Sequence, residues 1–228
     1  WGEGLKLFDL DRRKYLQNDN YRKLDGSRVF CVDRARADQL LIGAYPCGAF
    51  VLDERTNELE HLNFPDSLGG LNVRKFAPCP QEPNYFWMAT FNAGLFKIQL
   101  SPEGNLLNYT KVNSFEKGEM QIENMLVDND RLWLCLSDGL VFLDITSNED
   151  LVYREPTLSG THCKAIYPVG NNKYWLATLS GLIYFDGDEQ SIKRFFVDKS
   201  FYSLSQTNNS NTLLVGGSNG LALCRVDE

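Results

Sequence analysis

Histidine is nearly absent from this chain: His61 and His162 are the only two in 228 residues. No Ser or Cys nucleophile signature lies beside either, so both read as surface or loop residues without chemistry. Runs of Lys and Arg that could track a phosphate backbone are missing, and the formal charge of −7 disfavours a polyanion; no nucleic acid partner is expected. The nearest approach, Asp11-Arg12-Arg13-Lys14, begins with an acid and predicts a solvated hairpin. No apolar stretch approaches the roughly 20 residues of a membrane span, so this segment is expected to make no membrane contact. No signal-peptide pattern opens the chain either. Six cysteines (Cys31, Cys47, Cys79, Cys135, Cys163, Cys224) are scattered without CxxC spacing, and no metal site is expected. Cys135 and Cys224 fall inside predicted strands and read as small core residues.

What the chain does have is a repeat. Gly followed by Leu or Ala opens a short apolar run at Gly4, Gly48, Gly94, Gly139, Gly181 and Gly220, at separations of 44, 46, 45, 42 and 39 residues. A strand-rich period near 40–45 residues predicts an all-β fold, a β-propeller of four-stranded antiparallel blades. Aromatic and apolar contents of 12% and 43% supply the core such a fold needs and argue against disorder.

The unit from Gln121 to Thr157 shows the code most clearly. Gln121 to Val127 predicts a first strand, Arg131 to Leu136 a second, Gly139 to Asp144 a third, and Leu151 to Arg154 the outermost. Second strands read as unbroken apolar runs because blades cover them on both faces. Trp87, Trp133 and Trp175 then share one position, filled by Leu41 and Leu214 in the weaker copies. Asp9, Asp53, Asp144 and Asp186 follow four anchors at a fixed distance and read as hairpin punctuation, since an Asp side chain bonds the backbone of its own turn. The count is four complete blades flanked by two partial ones. The opening residues match only a turn and third strand, and Phe201 to Val226 only the first three strands. That makes residues 1–228 one propeller segment, expected to be a fragment of a longer array, because an open arc leaves apolar faces in water.

The pattern of a strand, Leu-Trp-Leu or Tyr-Trp-Leu-Ala-Thr, a short turn, then Gly-Leu-x-x-Phe-Asp resembles the two-component-regulator propeller repeat. Tyr174 to Asp186, Leu132 to Asp144 and Phe86 to Leu95 carry the resemblance best, while the second and last repeats depart from it at Leu41, Ala49 and Leu214. The resemblance implies the periplasmic sensor region of a bacterial hybrid two-component system, in signal transduction and often carbohydrate sensing, where glycan breakdown products are frequent ligands. It implies no cofactor. The kinase, receiver and DNA-binding parts are not in this chain, so the segment is expected to be no enzyme. Six thiols sit uneasily with an oxidising periplasm. The sequons Asn108-Tyr109-Thr110 and Asn208-Asn209-Ser210 would be idle in a bacterium.

The connections between second and third strands differ between copies. Three have three residues and begin with Trp1, Tyr45 and Phe91; the others are the two-residue turns Ser137-Asp138, Leu179-Ser180 and Ser218-Asn219. Aromatic faces beside polar groups suit a sugar, so Trp1, Tyr45 and Phe91 are the candidate ligand-binding residues, on one face with the long segments Asn63 to Leu71 and Val112 to Met120. The competing reading is that these aromatics cap the blade interface. No catalytic residue emerges. Expected partners are neighbouring blades or domains of the same protein, an oligosaccharide, and a second copy in a homodimer. The alternatives are an extracytoplasmic propeller lyase or glycosidase, which needs convergent acid and base groups, and a protein-interaction scaffold without a small-molecule site.

Overall fold

A computed structural model describes residues 2–65, 68, 70–112, 121–147, 152–207 and 212–225. Two compact units divide the chain, Trp1–Val112 and Asn113–Glu228. In the first unit a hairpin of β1 (Leu7–Asp9) and β2 (Lys14–Leu16) precedes two four-stranded antiparallel sheets. One consists of β3 (Arg28–Arg36), β4 (Gln39–Tyr45), β5 (Gly48–Asp53) and β6 (Glu58–His61); the next of β7 (Val73–Pro78), β8 (Tyr85–Thr90), β9 (Gly94–Leu100) and β10 (Leu106–Lys111). The second unit holds β11 (Ile122–Asp128), β12 (Arg131–Leu136), β13 (Gly139–Asp144) and β14 (Val152–Arg154), then β15 (Cys163–Gly170), β16 (Lys173–Thr178), β17 (Gly181–Asp186) and β18 (Ser191–Phe195). A three-stranded sheet of β19 (Phe201–Gln206), β20 (Thr212–Gly217) and β21 (Gly220–Arg225) completes it.

The described residues therefore build five blades, the fifth three-stranded, and the expected four complete plus two partial blades is corrected at the N-terminal end. There the third-strand segment pairs only with β2, and the resulting two-stranded ribbon leaves Phe8, Leu10 and Tyr15 exposed. A ribbon with no apolar middle strand is not a blade. Its tip is the solvated hairpin expected at Asp11 to Lys14, with Arg13 at φ 50°. Asn18 caps a short 3-10 helix, Asp19–Leu24, through its side chain, as Glu155 caps the 3-10 helix Pro156–Leu158 ahead of β15.

Second strands are the buried layer. In β8 and β12 every residue after the first is buried. Trp87, Trp133 and Trp175 each stand third in their strand, opposite Lys97, Phe142 and Tyr184 of the third strands. Trp133 is buried and its indole N–H donates to Tyr174 Oη at 3.1 Å; Tyr174 in turn donates to Asp128 Oδ2 at 2.7 Å. Trp175 is only half-buried, a departure from the expected equivalence. It borders a cavity of about 290 Å³ shared with Leu182, Phe195, Leu213 and Leu223, so its outer edge lacks the cover that Trp133 has.

All six anchor glycines have positive φ. At Gly181 a Cβ would come within 2.5 Å of Phe195 O, so the turn into β17 admits nothing larger. The four aspartates act as turn residues: Asp9, Asp53, Asp144 and Asp186 each accept a backbone N–H two or three residues on, at 2.8, 2.8, 2.9 and 3.1 Å. The Arg55 side chain, and after it the backbone N–H groups, hold the carboxyl of Asp53 down to about 2; the Thr146 hydroxyl and its N–H lower Asp144, and the Glu189 and Asp188 N–H groups lower Asp186.

Candidate functional site

One irregularity recurs in every blade. The pairing of first and second strands slips by one residue between Val29 and Cys31, Val73 and Lys75, Ile122 and Asn124, Cys163 and Ala165, and Phe201 and Ser203. Each slip is a β-bulge, in which the extra residue leaves the ladder and its side chain is re-aimed. The five extra residues are Phe30, Arg74, Glu123, Lys164 and Tyr202. A bulge repeated at one place is part of the blade design, whereas the side chains on it differ in charge and shape.

In the first unit the Arg74 guanidinium lies between two rings, its central carbon 3.9 Å from the centroid of Phe30 and 4.7 Å from that of Phe91. Both distances are within the range of cation–π attraction. Phe91 opens a hairpin connection and is tied by its backbone N–H to Asn72 O at 2.8 Å. Next to Arg74, Lys75 pairs with Asp33, and Asp33 Oδ2 also accepts from the Phe76 backbone at 2.9 Å. The two first strands are thereby joined beside the bulge.

In the second unit the bulge residues meet each other. Glu123 has a buried side chain, 5% exposed, and its Oε1 takes the Lys164 ammonium and the His162 Nε2 at 3.0 Å. Asn124 Nδ2 donates to Lys164 O at 3.3 Å across the same pair of strands. The buried carboxylates Glu155 and Asp186 are both occupied in their own turns. Glu123 is instead held by side chains of the next blade. Tyr202, on the bulge of the last blade, is exposed.

The expected site residues are distributed as follows. Trp1 lies outside the described residues. Tyr45 is exposed and ends β4, opposite Arg28, while Phe91 is half-buried under Arg74. No ring contact joins Tyr45 to Phe91 among the described residues. Hairpin register gives both connections the expected length: Ala44 pairs with Gly48 and Thr90 with Gly94, against Leu136 with Gly139 and Thr178 with Gly181. Of the long segments on that face, 113–120 and residues 66, 67 and 69 lie outside the described residues, as does the sequon at Asn208. His61 Nε2 donates to Cys47 O at 2.8 Å and its Nδ1 meets the Asn63 side chain at 2.9 Å, as a surface residue would. His162 differs from its expectation. It sits in a loop, but its Nε2 lies 3.0 Å from the buried Glu123 carboxylate.

Neither a family model nor a curated protein matches this chain. Solved structures do. The extracellular domain assigned to the hybrid two component system BT3049 from B. thetaiotaomicron superposes with TM-score 0.75 at 15% identity, over 99% of this chain and 31% of that one. That of BT4673 from the same organism gives 0.75 at 18%, over 99% and 32%. PorZ, a surface component of the type-IX secretion system of Porphyromonas gingivalis, gives 0.65 at 17%, over 97% and 36%. The chain thus spans about a third of the length of these proteins. Its fold is a β-propeller of four-stranded antiparallel blades, the fold of extracellular domains of hybrid two component systems, as the repeat resemblance implied. No helix among the described residues is long and apolar enough to cross a membrane.

Proposed function

We propose that this segment is a non-enzymatic sensing module of a hybrid two-component signalling protein, outside the cytoplasm, and that its ligand is an oligosaccharide of the kind released by glycan breakdown. The observation that carries the reading is the bulge: one backbone device repeated five times, bearing Phe30, Arg74, Glu123, Lys164 and Tyr202 where a purely structural position would repeat one apolar type. Aromatic rings with a cation and hydroxyl-binding groups are what a sugar requires. Tyr45 and Phe91 remain the proposed contact residues in the first unit, with Arg74 against Phe91, and Phe30 against Arg74. Signalling follows if the ligand prefers one arrangement of the blades or of the domains they join.

The glycosidase alternative needs two carboxylates about 5–9.5 Å apart. Glu123 is the cluster's single carboxylate among the described residues, and it is paired with the Lys164 ammonium, a poor arrangement for an acid–base pair. Neighbouring blades or domains of the same protein, and a homodimer, are the protein partners we propose; Leu221 and Leu223, exposed on β21 of the last blade, support this. A single-chain mass by light scattering removes the homodimer. The functional test is incubation of the purified chain with a panel of oligosaccharides, following heat and products together. Binding with the oligosaccharide recovered intact is expected. Turnover overturns the sensing reading, and absence of heat with every member overturns the glycan.

A further inference from the structure

Cys135, in the second strand of one blade, and Cys163, the first residue of the next, place their sulfurs 2.7 Å apart. Even two carbon atoms in contact sit at about 3.5–4.0 Å, and sulfur is the larger atom. A disulfide needs about 2.05 Å, so the pair stands much nearer to bonding than to ordinary packing. Both thiols are buried, at 0% and 1% exposure, among Trp133, Leu140, Ile166 and Leu176. It is the one sulfur–sulfur contact among the described residues; Cys47, for comparison, rests its Sγ on Ser27 Oγ at 2.9 Å.

We infer that Cys135 and Cys163 form a disulfide that staples two adjacent blades of the second unit. Two S–H bonds break and one S–S bond forms. The two electrons and, by way of solvent, the two protons pass to the disulfide of an oxidant, a thiol–disulfide oxidoreductase or oxidised glutathione, whose S–S bond breaks to give two thiols. Exchange proceeds through a thiolate, and burial pushes the Cys135 thiol well above its ordinary range. The bond therefore has to form while the blades dock, before the core closes. In the finished fold it is shielded from reductant by the same burial. A bond here also answers part of the conflict between six cysteines and an oxidising compartment.

The inference is independent of where the protein resides when it is tested by refolding the full chain in a buffer of reduced and oxidised glutathione. The product is denatured, alkylated without reduction, and mapped by mass spectrometry. One cross-linked peptide pair containing Cys135 and Cys163 is expected, with Cys31, Cys47, Cys79 and Cys224 alkylated. Alkylation of Cys135 and Cys163, or a cross-link from either to another cysteine, overturns it. As a second measurement, dithiothreitol added before heating should lower the Tm of the oxidised wild type and leave that of a Cys135→Ala/Cys163→Ala variant unmoved. An equal response of the two also overturns the bond. The mapping uses the wild type alone and stands even if the variant fails to fold.

Discussion

The two units carry the same bulge at the same place in the blade and do opposite things with its cation. In Trp1–Val112 the Arg74 charge lies against the rings of Phe30 and Phe91. In Asn113–Glu228 the Lys164 charge meets a buried carboxylate that His162 also holds. The backbone is repeated because every blade must turn its first strand in the same way. The side chains vary because the position is out of the ladder and free of the packing demands that fix Trp133. Recognition chemistry can change there without changing the fold.

Several substitutions would break or sharpen that contrast. Trp133→Ala removes the largest fully buried side chain among the described residues and the donor to Tyr174, and should destabilise the second unit by about 3–5 kcal/mol in urea unfolding. Trp87→Phe should be far milder, because the Trp87 indole N–H is buried without an acceptor. Equal effects from the two would erase the distinction between the units' cores. Glu123→Ala strands Lys164 and His162, and should cost about 3 kcal/mol, the low end for a broken buried pair, since Lys164 keeps 20% exposure. Arg74→Ala loses the contacts with the Phe30 and Phe91 rings, worth about 0.5–2 kcal/mol. A larger loss at Arg74 than at Glu123 would show that the guanidinium, not the carboxylate cluster, anchors its blades.

Most of the fold was legible and little of the site was. Gly anchors, tryptophans and turn aspartates are dictated by close backbone approach, blade-to-blade burial and turn bonding, and each constraint selects a residue type that recurs at a fixed distance. The bulges impose no residue type. The first hairpin also varies in length, so Phe30, Arg74, Glu123, Lys164 and Tyr202 keep no constant spacing from the Leu or Trp of the second strand. His162 reads from the sequence as a loop residue without chemistry because its partner Glu123 is a blade away in the chain. The readable signal is a charged or aromatic residue one place after an apolar position early in each first strand, as in Val29-Phe30 and Ile122-Glu123.

The smallest expected effect concerns the hairpin aspartates, which should behave alike in both units. Asp53 is held to about 2 in the folded chain, against an ordinary value of 3.8. Its contribution is thus present above the ordinary carboxylate range and fades as pH falls toward 2. Side-chain NMR titration should place Asp53, Asp144 and Asp186 all below ordinary carboxylates, and Asp53→Asn should flatten the acid limb of stability slightly. An ordinary midpoint at any of the three would set its turn apart from the repeat.

The most direct test of the central claim is calorimetric titration of an oligosaccharide that binds, against wild type and a Tyr45→Ala/Phe91→Ala variant of unchanged fold. Sugar-ring contact with those faces predicts an affinity loss of at least tenfold, about 1.4 kcal/mol. Undiminished binding would contradict the account and remove that face as the sensing site.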